Sequence, residues 1–111
     1  MLARPHRLTR GSEYKAVVRR GRRCAAPNTV TYVVSTSDAR DARFGFIVSK
    51  QVGSAVVRNT VRRRLKAICA ESLPGVRSGS DIVIRALPSA ATTPFADLRE
   101  EVQRCLVRRS A

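Results

Sequence analysis

The chain has 111 residues, 43% hydrophobic but only 5% aromatic and without Trp, which suits one compact domain with an aliphatic core and excludes a wholly disordered chain. Its 22 Lys and Arg against 8 Asp and Glu leave a net charge of +14. That excess is well beyond what solubility requires, so an anionic partner is expected.

A basic lead, residues 1–10, precedes "GSEYKAVVRRG". There Ser12 reads as an N-cap, Glu13 falls in the first turn, Tyr14, Val17 and Val18 share one face, and Gly21 stops a short helix. "RRCAA" and "TVTYVVS" read as two strands, with Thr29, Thr31 and Val33 alternating against Val30, Tyr32 and Val34. "RFGFIVSK" predicts a third strand that turns Phe44, Phe46 and Val48 one way. A long helix opens at Gly53 or Ser54 and runs to about Ser72, ended by Pro74, Gly75 and Gly79. "IVIRAL" predicts a buried strand. A last helix is expected with Thr93 as its cap, Pro94 at its first position, and Phe95, Leu98, Val102, Cys105 and Leu106 on its inner face. Asp97, Glu100 and Glu101 fall early in it and Arg104, Arg108 and Arg109 late, the order its dipole favours. The order α-β-β-β-α-β-α predicts an α+β fold, a single domain over 1–111 with helices packed on a mixed four-stranded sheet.

Cys24, Cys69 and Cys105 are widely spaced, with no C-x-x-C and His6 as the sole histidine, which argues against zinc. Cys69 and Cys105 fall on apolar helical positions, so free, buried thiols are expected, and with them a reducing cytoplasm. No stretch approaches the roughly 20 apolar residues of a membrane span, and the lead lacks the apolar run of an export signal. A helix for an anionic membrane surface would set large aromatic or leucine residues opposite its cations; the central helix has valines.

On a helical wheel, Val57, Val61, Leu65 and Ile68 fall in one arc, while Arg58, Asn59, Arg62, Arg63 and Lys66 occupy much of the other side. Arg64 lands beside the apolar arc. The helix has no acidic residue from Ser54 until Glu71, whereas a merely solvated face normally mixes signs. Like charges one turn apart cost roughly 0.2–0.5 kcal/mol per pair, and a phosphate-binding role explains why that cost is carried. Nineteen of the cations are Arg, whose planar fork suits phosphate. A GC-rich genome would also raise Arg over Lys, but not the net charge. The chain offers no catalytic set of its own: no paired carboxylates in an apolar run, no Ser/His/Asp triad, no phosphate-cradling glycine loop.

The run "FGFIVSKQVGSAVVRNTVRRRLK", Phe44 to Lys66, resembles the signature of the protein component of bacterial ribonuclease P: a strand ending in S-K, then x-x-G-x-A-V, then R-N and a K/R-rich helix. "RPHRLTRGSEYKAVVRRG" and "DIVIRALP" with a terminal helix extend the resemblance over nearly the whole chain. It implies a fold like that of ribosomal protein S5 domain 2. It also implies two partners, the catalytic ribonuclease P RNA and precursor tRNA, without an obligate protein partner.

By position, the resemblance gives Arg58, Asn59, Arg62, Arg63 and Lys66 the contact with the RNA subunit, with Lys50 and Gly53 in the loop leading in. It gives the single-stranded 5′ leader of precursor tRNA to a cleft between the first helix and the sheet. Tyr14 serves that cleft, joined from the strands by Tyr32 and by Phe44 or Phe46. Two departures stand out: the family's R-N-R reads Arg58-Asn59-Thr60 here, and of its two aromatics on the first helix Tyr14 is kept while Val18 replaces the other. Exposed bases stack on aromatic rings; Tyr14 suits a core position equally well, and Phe46 reads as core. The implied chemistry belongs to Mg²⁺ held mainly by the RNA subunit, with no catalytic residue on this chain and metal on the protein left open. A basic ribosomal protein would share the composition. A duplex-DNA module would need a partner helix and short turn that are missing before the basic helix.

Overall fold

The computed structural model describes residues 4–36 and 38–110; the first three residues of the basic lead and the side chain of Arg109 lie outside the described residues. The helices are α1 (Gly11–Arg20), α2 (Ala55–Ser72) and α3 (Phe95–Ser110), and the strands β1 (Arg22–Ala25), β2 (Thr29–Val34), β3 (Arg43–Ile47) and β4 (Asp81–Ala86). They follow the expected order. The strands form one sheet ordered β1-β2-β4-β3, antiparallel at β1–β2 and β2–β4 and parallel at β3–β4. A parallel pair needs a long crossover, and α2 is that crossover.

The period-two patterns sort the strands between two cores. Ile82, Ile84 and Ala86 of β4, Val33 of β2 and Phe44 of β3 pack with Val61, Leu65, Ile68, Leu98, Val102 and Leu106 of α2 and α3. The alternate residues Val30, Tyr32 and Val83 meet Val17 of α1 and Leu8 of the lead on the other face. Leu65, Ile68, Ile82, Ile84 and Leu98 are fully buried, each contributing about 1.5–3 kcal/mol.

Several local expectations need correction. α1 begins one residue before Ser12, with Arg10 at the N-cap, and its start is held by Glu13, whose Oε1 accepts from the N–H of Arg10 at 3.1 Å. The Thr93 hydroxyl donates to Asn28 Oδ1 and to the carbonyl of Ser89, both at 2.8 Å, and does not cap α3. Phe95 is 38% exposed and lines a surface hollow with Thr60, Arg63 and Arg64 of α2, outside the core. Free thiols do not describe all three cysteines: Cys24 of β1 and Cys105 of α3 form a disulfide, and Cys69 alone is free and buried. Glu101 is a buried carboxylate, 5% exposed. It accepts from the Asn28 N–H at 3.2 Å, from Asn28 Nδ2 at 2.7 Å and from the Thr29 hydroxyl at 2.7 Å, which ties α3 to the start of β2.

Candidate nucleic-acid interface

The basic helix opens where its sequence indicates. Ser54 is the N-cap, its hydroxyl accepting from the Val57 N–H at 3.4 Å. Gly53 before it has φ 155°, and a Cβ there would lie 2.9 Å from Val57 Cγ1, so a side chain would strain the joint and collide with the helix it introduces. Lys50, exposed, sits in a single 3₁₀ turn, Lys50–Val52, that leads into this joint. Val61, Leu65 and Ile68 are at most 1% exposed, and Arg62 and Lys66 flank this buried arc, each half-buried.

None of Arg58, Arg62, Arg63, Arg64 and Lys66 enters an ion pair among the described residues. The carboxylates that do pair engage Arg40, Arg43, Arg99 and Arg104. The helix instead braces its own cations: Arg62 Nη1 donates to Asn59 Oδ1 at 3.0 Å and Arg63 Nη2 to the Thr60 hydroxyl at 3.3 Å. Thr60 in turn donates to the carbonyl of Val56 at 3.0 Å, so it supports Arg63 without supplying a charge. Arg58 is half-buried, its Nε enclosed without a hydrogen-bond partner.

Tyr14 links this helix to α1. Its ring lies over Gly45 of β3, where a Cβ would stand 2.5 Å from Cζ, and its hydroxyl accepts from the Phe46 N–H at 3.4 Å. β3 is an edge strand, and its outer polar groups need partners. One is this hydroxyl, and another is the N–H of Leu8, donating to the carbonyl of Phe44 at 2.8 Å. Arg7 pairs beside Phe44 in a parallel bridge, which seats the lead against the outer side of β3.

Two hollows meet at Tyr14. One, of about 140 Å³, lies between β3 and α2 and is lined by Tyr14, Phe46, Arg7, Arg62 and Lys66, with Phe44 at its floor. The other, a groove of about 510 Å³, runs between α1 and β3 and is lined by Tyr14, Val18 and Ile47, with Lys15 and Arg19 at its rim. Tyr14 and Phe46 are half-buried and face these hollows. Phe44 and Tyr32, at 1% and 8% exposure, belong to the two cores and present little ring surface. Sequence patterning alone does not single out Arg7, Lys15, Arg19 or Ile47. The i, i+4 spacing of Lys15 and Arg19 beside Tyr14 is a usable signal, whereas the place of Arg7 depends on a long-range pairing.

α1 is anchored by Glu13, whose Oε2 lies 2.7 Å from Arg43 Nη1, while Arg43 Nε and Nη2 each donate to Asp81 at 3.0 Å. Partial burial pushes the Glu13 carboxyl up. The Arg10 N–H, the Arg43 charge and the Thr9 N–H outweigh it and hold the group below its usual 4.5. Hydrogen bonding to Asp81 leads the causes that raise Arg43, against desolvation. Burial alone pushes the Cys69 thiol up, so it is inert as a nucleophile at neutral pH. Among the described residues no three His, Cys, Asp or Glu side chains converge as a metal site, and no helix is long and apolar enough to cross a membrane.

The arrangement offers cations for phosphates and, at Tyr14 and Phe46, aromatic surface for a base. Residues 2–110 match the family model described as Ribonuclease P. The chain is 47% identical over 108 residues to the ribonuclease P protein component of Clavibacter michiganensis subsp. michiganensis, covering 97% of this chain and 96% of that one. With the ribonuclease P protein component of Acidothermus cellulolyticus it shares 47% identity over 109 residues, covering 97% and 91%. Its fold resembles that of the RNase P protein from Thermotoga maritima, with a TM-score of 0.83 at 20% identity over 95% of this chain and 98% of that one. The Staphylococcus aureus RNase P protein gives 0.81 at 19% identity, covering 93% of each. A match of this length and identity sets the ribosomal-protein alternative aside: the chain belongs to the ribonuclease P protein family.

Proposed function

We propose that this chain binds the catalytic RNA subunit of ribonuclease P through α2 and grips the single-stranded 5′ leader of precursor tRNA beside Tyr14. Leader removal then gives the mature 5′ end of the tRNA. The observation that carries the reading is the meeting of Arg7, Arg62 and Lys66 with Tyr14 around one hollow, with no ion pair on α2's basic face among the described residues. Exposed Asn59 and Arg63 with half-buried Arg58 widen the RNA-subunit surface, and Lys50 extends it to the helix entrance. A leader base stacks on Tyr14, Phe46 borders the same hollow, and Lys15 and Arg19 accompany the strand along the α1 groove.

Hydrolysis is assigned to the RNA subunit and its Mg²⁺, an ion that lowers the pKa of bound water and neutralises developing charge. To this chain we assign binding and positioning. By thermodynamic coupling, a protein that favours the metal-bound RNA also tightens metal binding. The work takes place in the cytoplasm, whose reducing conditions work against the Cys24–Cys105 bond.

The test is reconstitution: purified chain added to a ribonuclease P RNA at low Mg²⁺ restores precursor-tRNA cleavage. Cleavage no faster than with RNA alone overturns the reading.

A further inference from the structure

At the opposite edge of the sheet, four arginines from four segments line a second hollow of about 370 Å³: Arg20 ends α1, Arg22 opens β1, Arg77 lies between α2 and β4, and Arg108 is near the end of α3. Val33 and Val34 at the end of β2, with Ser35 just beyond it, complete the lining. We propose that this hollow binds phosphate groups of an RNA chain, as a contact separate from α2 and from the Tyr14 groove.

The geometry is built in by a tight connection. Gly21 joins α1 directly to β1, and a Cβ on it would lie 2.5 Å from the carbonyl oxygen of Val17 and 3.1 Å from the nitrogen of Val33. No side chain fits at that approach, so Arg20 and Arg22 leave the main chain on either side of a fixed corner. Arg22 stands opposite Val33 in the β1–β2 register, beside the end of β2.

All four arginines are exposed, and none enters an ion pair among the described residues. A helix dipole accounts for cations at the ends of α1 and α3, but not for Arg22 on a strand or Arg77 on a connection. Four guanidinium groups around one hollow repel until an anion enters, and their planar forks fit phosphate.

The lining contains no aromatic ring, carboxylate or carboxamide, so it has little with which to read a base. It suits the sugar-phosphate chain regardless of sequence. β1 and β3 are opposite edges of the four-stranded sheet, about 14 Å apart at the usual strand spacing, so one phosphate cannot serve both sites. The inference rests on the reading of this chain as an RNA-binding protein, but not on the assignments to α2 or Tyr14.

The full chain, isotope-labelled on arginine side chains, is titrated with a single-stranded uridine 20-mer and separately with inorganic phosphate at equal phosphate concentration. The 20-mer is expected to move the Nε–H signals of Arg20, Arg22, Arg77 and Arg108 as well as those of Arg62 and Arg63. The double variant Arg77→Gln/Arg108→Gln is expected to bind the 20-mer with a log–log salt slope smaller by about 1.4, about 0.7 for each of two single-strand phosphates no longer neutralised. If only Arg62 and Arg63 respond, or if the variant's slope is unchanged, the second RNA-binding hollow is overturned and the proposed function stands. Inorganic phosphate moving the four signals as far as the 20-mer also overturns it, in favour of a simple anion site. If neither set responds to RNA, the inference fails together with the RNA-binding reading beneath it.

Discussion

The ring of Tyr14 rests on the bare Cα of Gly45: a Cβ there would stand 2.5 Å from Cζ and 2.6 Å from Cε2. Gly45→Ala should therefore lift the ring out of the groove. Tyr14→Ala removes a stacking surface of about 1–3 kcal/mol per base, or about 5- to 150-fold in affinity. Both variants should weaken binding of a leader-bearing precursor while leaving mature tRNA nearly unchanged. Tyr14→Phe, which loses only the bond from the Phe46 N–H, should keep most of the affinity. Equal losses for precursor and mature tRNA would refute the groove assignment.

Arg62 and Arg63 are braced on Asn59 and Thr60 without a counter-charge among the described residues. Changing both to Ala should lower affinity for the RNA subunit and flatten its salt dependence by roughly 0.7–0.9 for each phosphate no longer neutralised. Binding measured across a salt series decides the matter, and an unaltered slope removes these residues from the interface.

The bond between Cys24 and Cys105 spans a sequence separation of 81, and cross-linking a loop that long stabilises by roughly 4–5 kcal/mol on the chain-entropy account. Urea unfolding should show oxidised protein losing stability of that order when reductant is added, while Cys24→Ser/Cys105→Ser does not respond. Identical reductant responses in the two proteins would show that the cross-link adds nothing.

Glu13 is held below its ordinary 4.5, so its folded-state value is depressed. Its contribution is therefore complete above the unfolded value and is lost as pH falls through the lower folded one. Glu13→Gln should be less stable than the parent at about pH 6, and the gap should narrow below pH 4.5. Melting temperatures of both proteins across this range provide the check; a gap that widens in acid contradicts the sign.

Much of this architecture was legible because it is local. Val57, Val61, Leu65 and Ile68 recur at helical spacing, Ser54 and Gly53 mark the opening of α2, and strict alternation in β2 and β3 names which side chains meet which core. Contacts between distant segments were not legible. Glu101 reads as a dipole-favoured residue near the start of a helix, yet it is buried under Asn28 and Thr29, more than seventy positions away. The Cys24–Cys105 pair and the seat of Arg7 beside β3 likewise need the sheet order first. Among the candidate site residues, alternation placed Phe44 and Tyr32 on definite faces, but only the packing of α1 and α2 decided how much of each ring stayed covered.

The carboxylates that pair do so away from the basic face of α2, which leaves its cations without a counter-charge among the described residues. Added salt should thus make the isolated chain more comfortable while loosening its hold on RNA, two opposite responses from one distribution of charge. Phosphates set against these cations relieve the repulsion within the basic face, so binding RNA stabilises the folded chain by mass action. On the proposed reading, a +14 chain without its RNA should bind other polyanions non-specifically, and more weakly as salt rises.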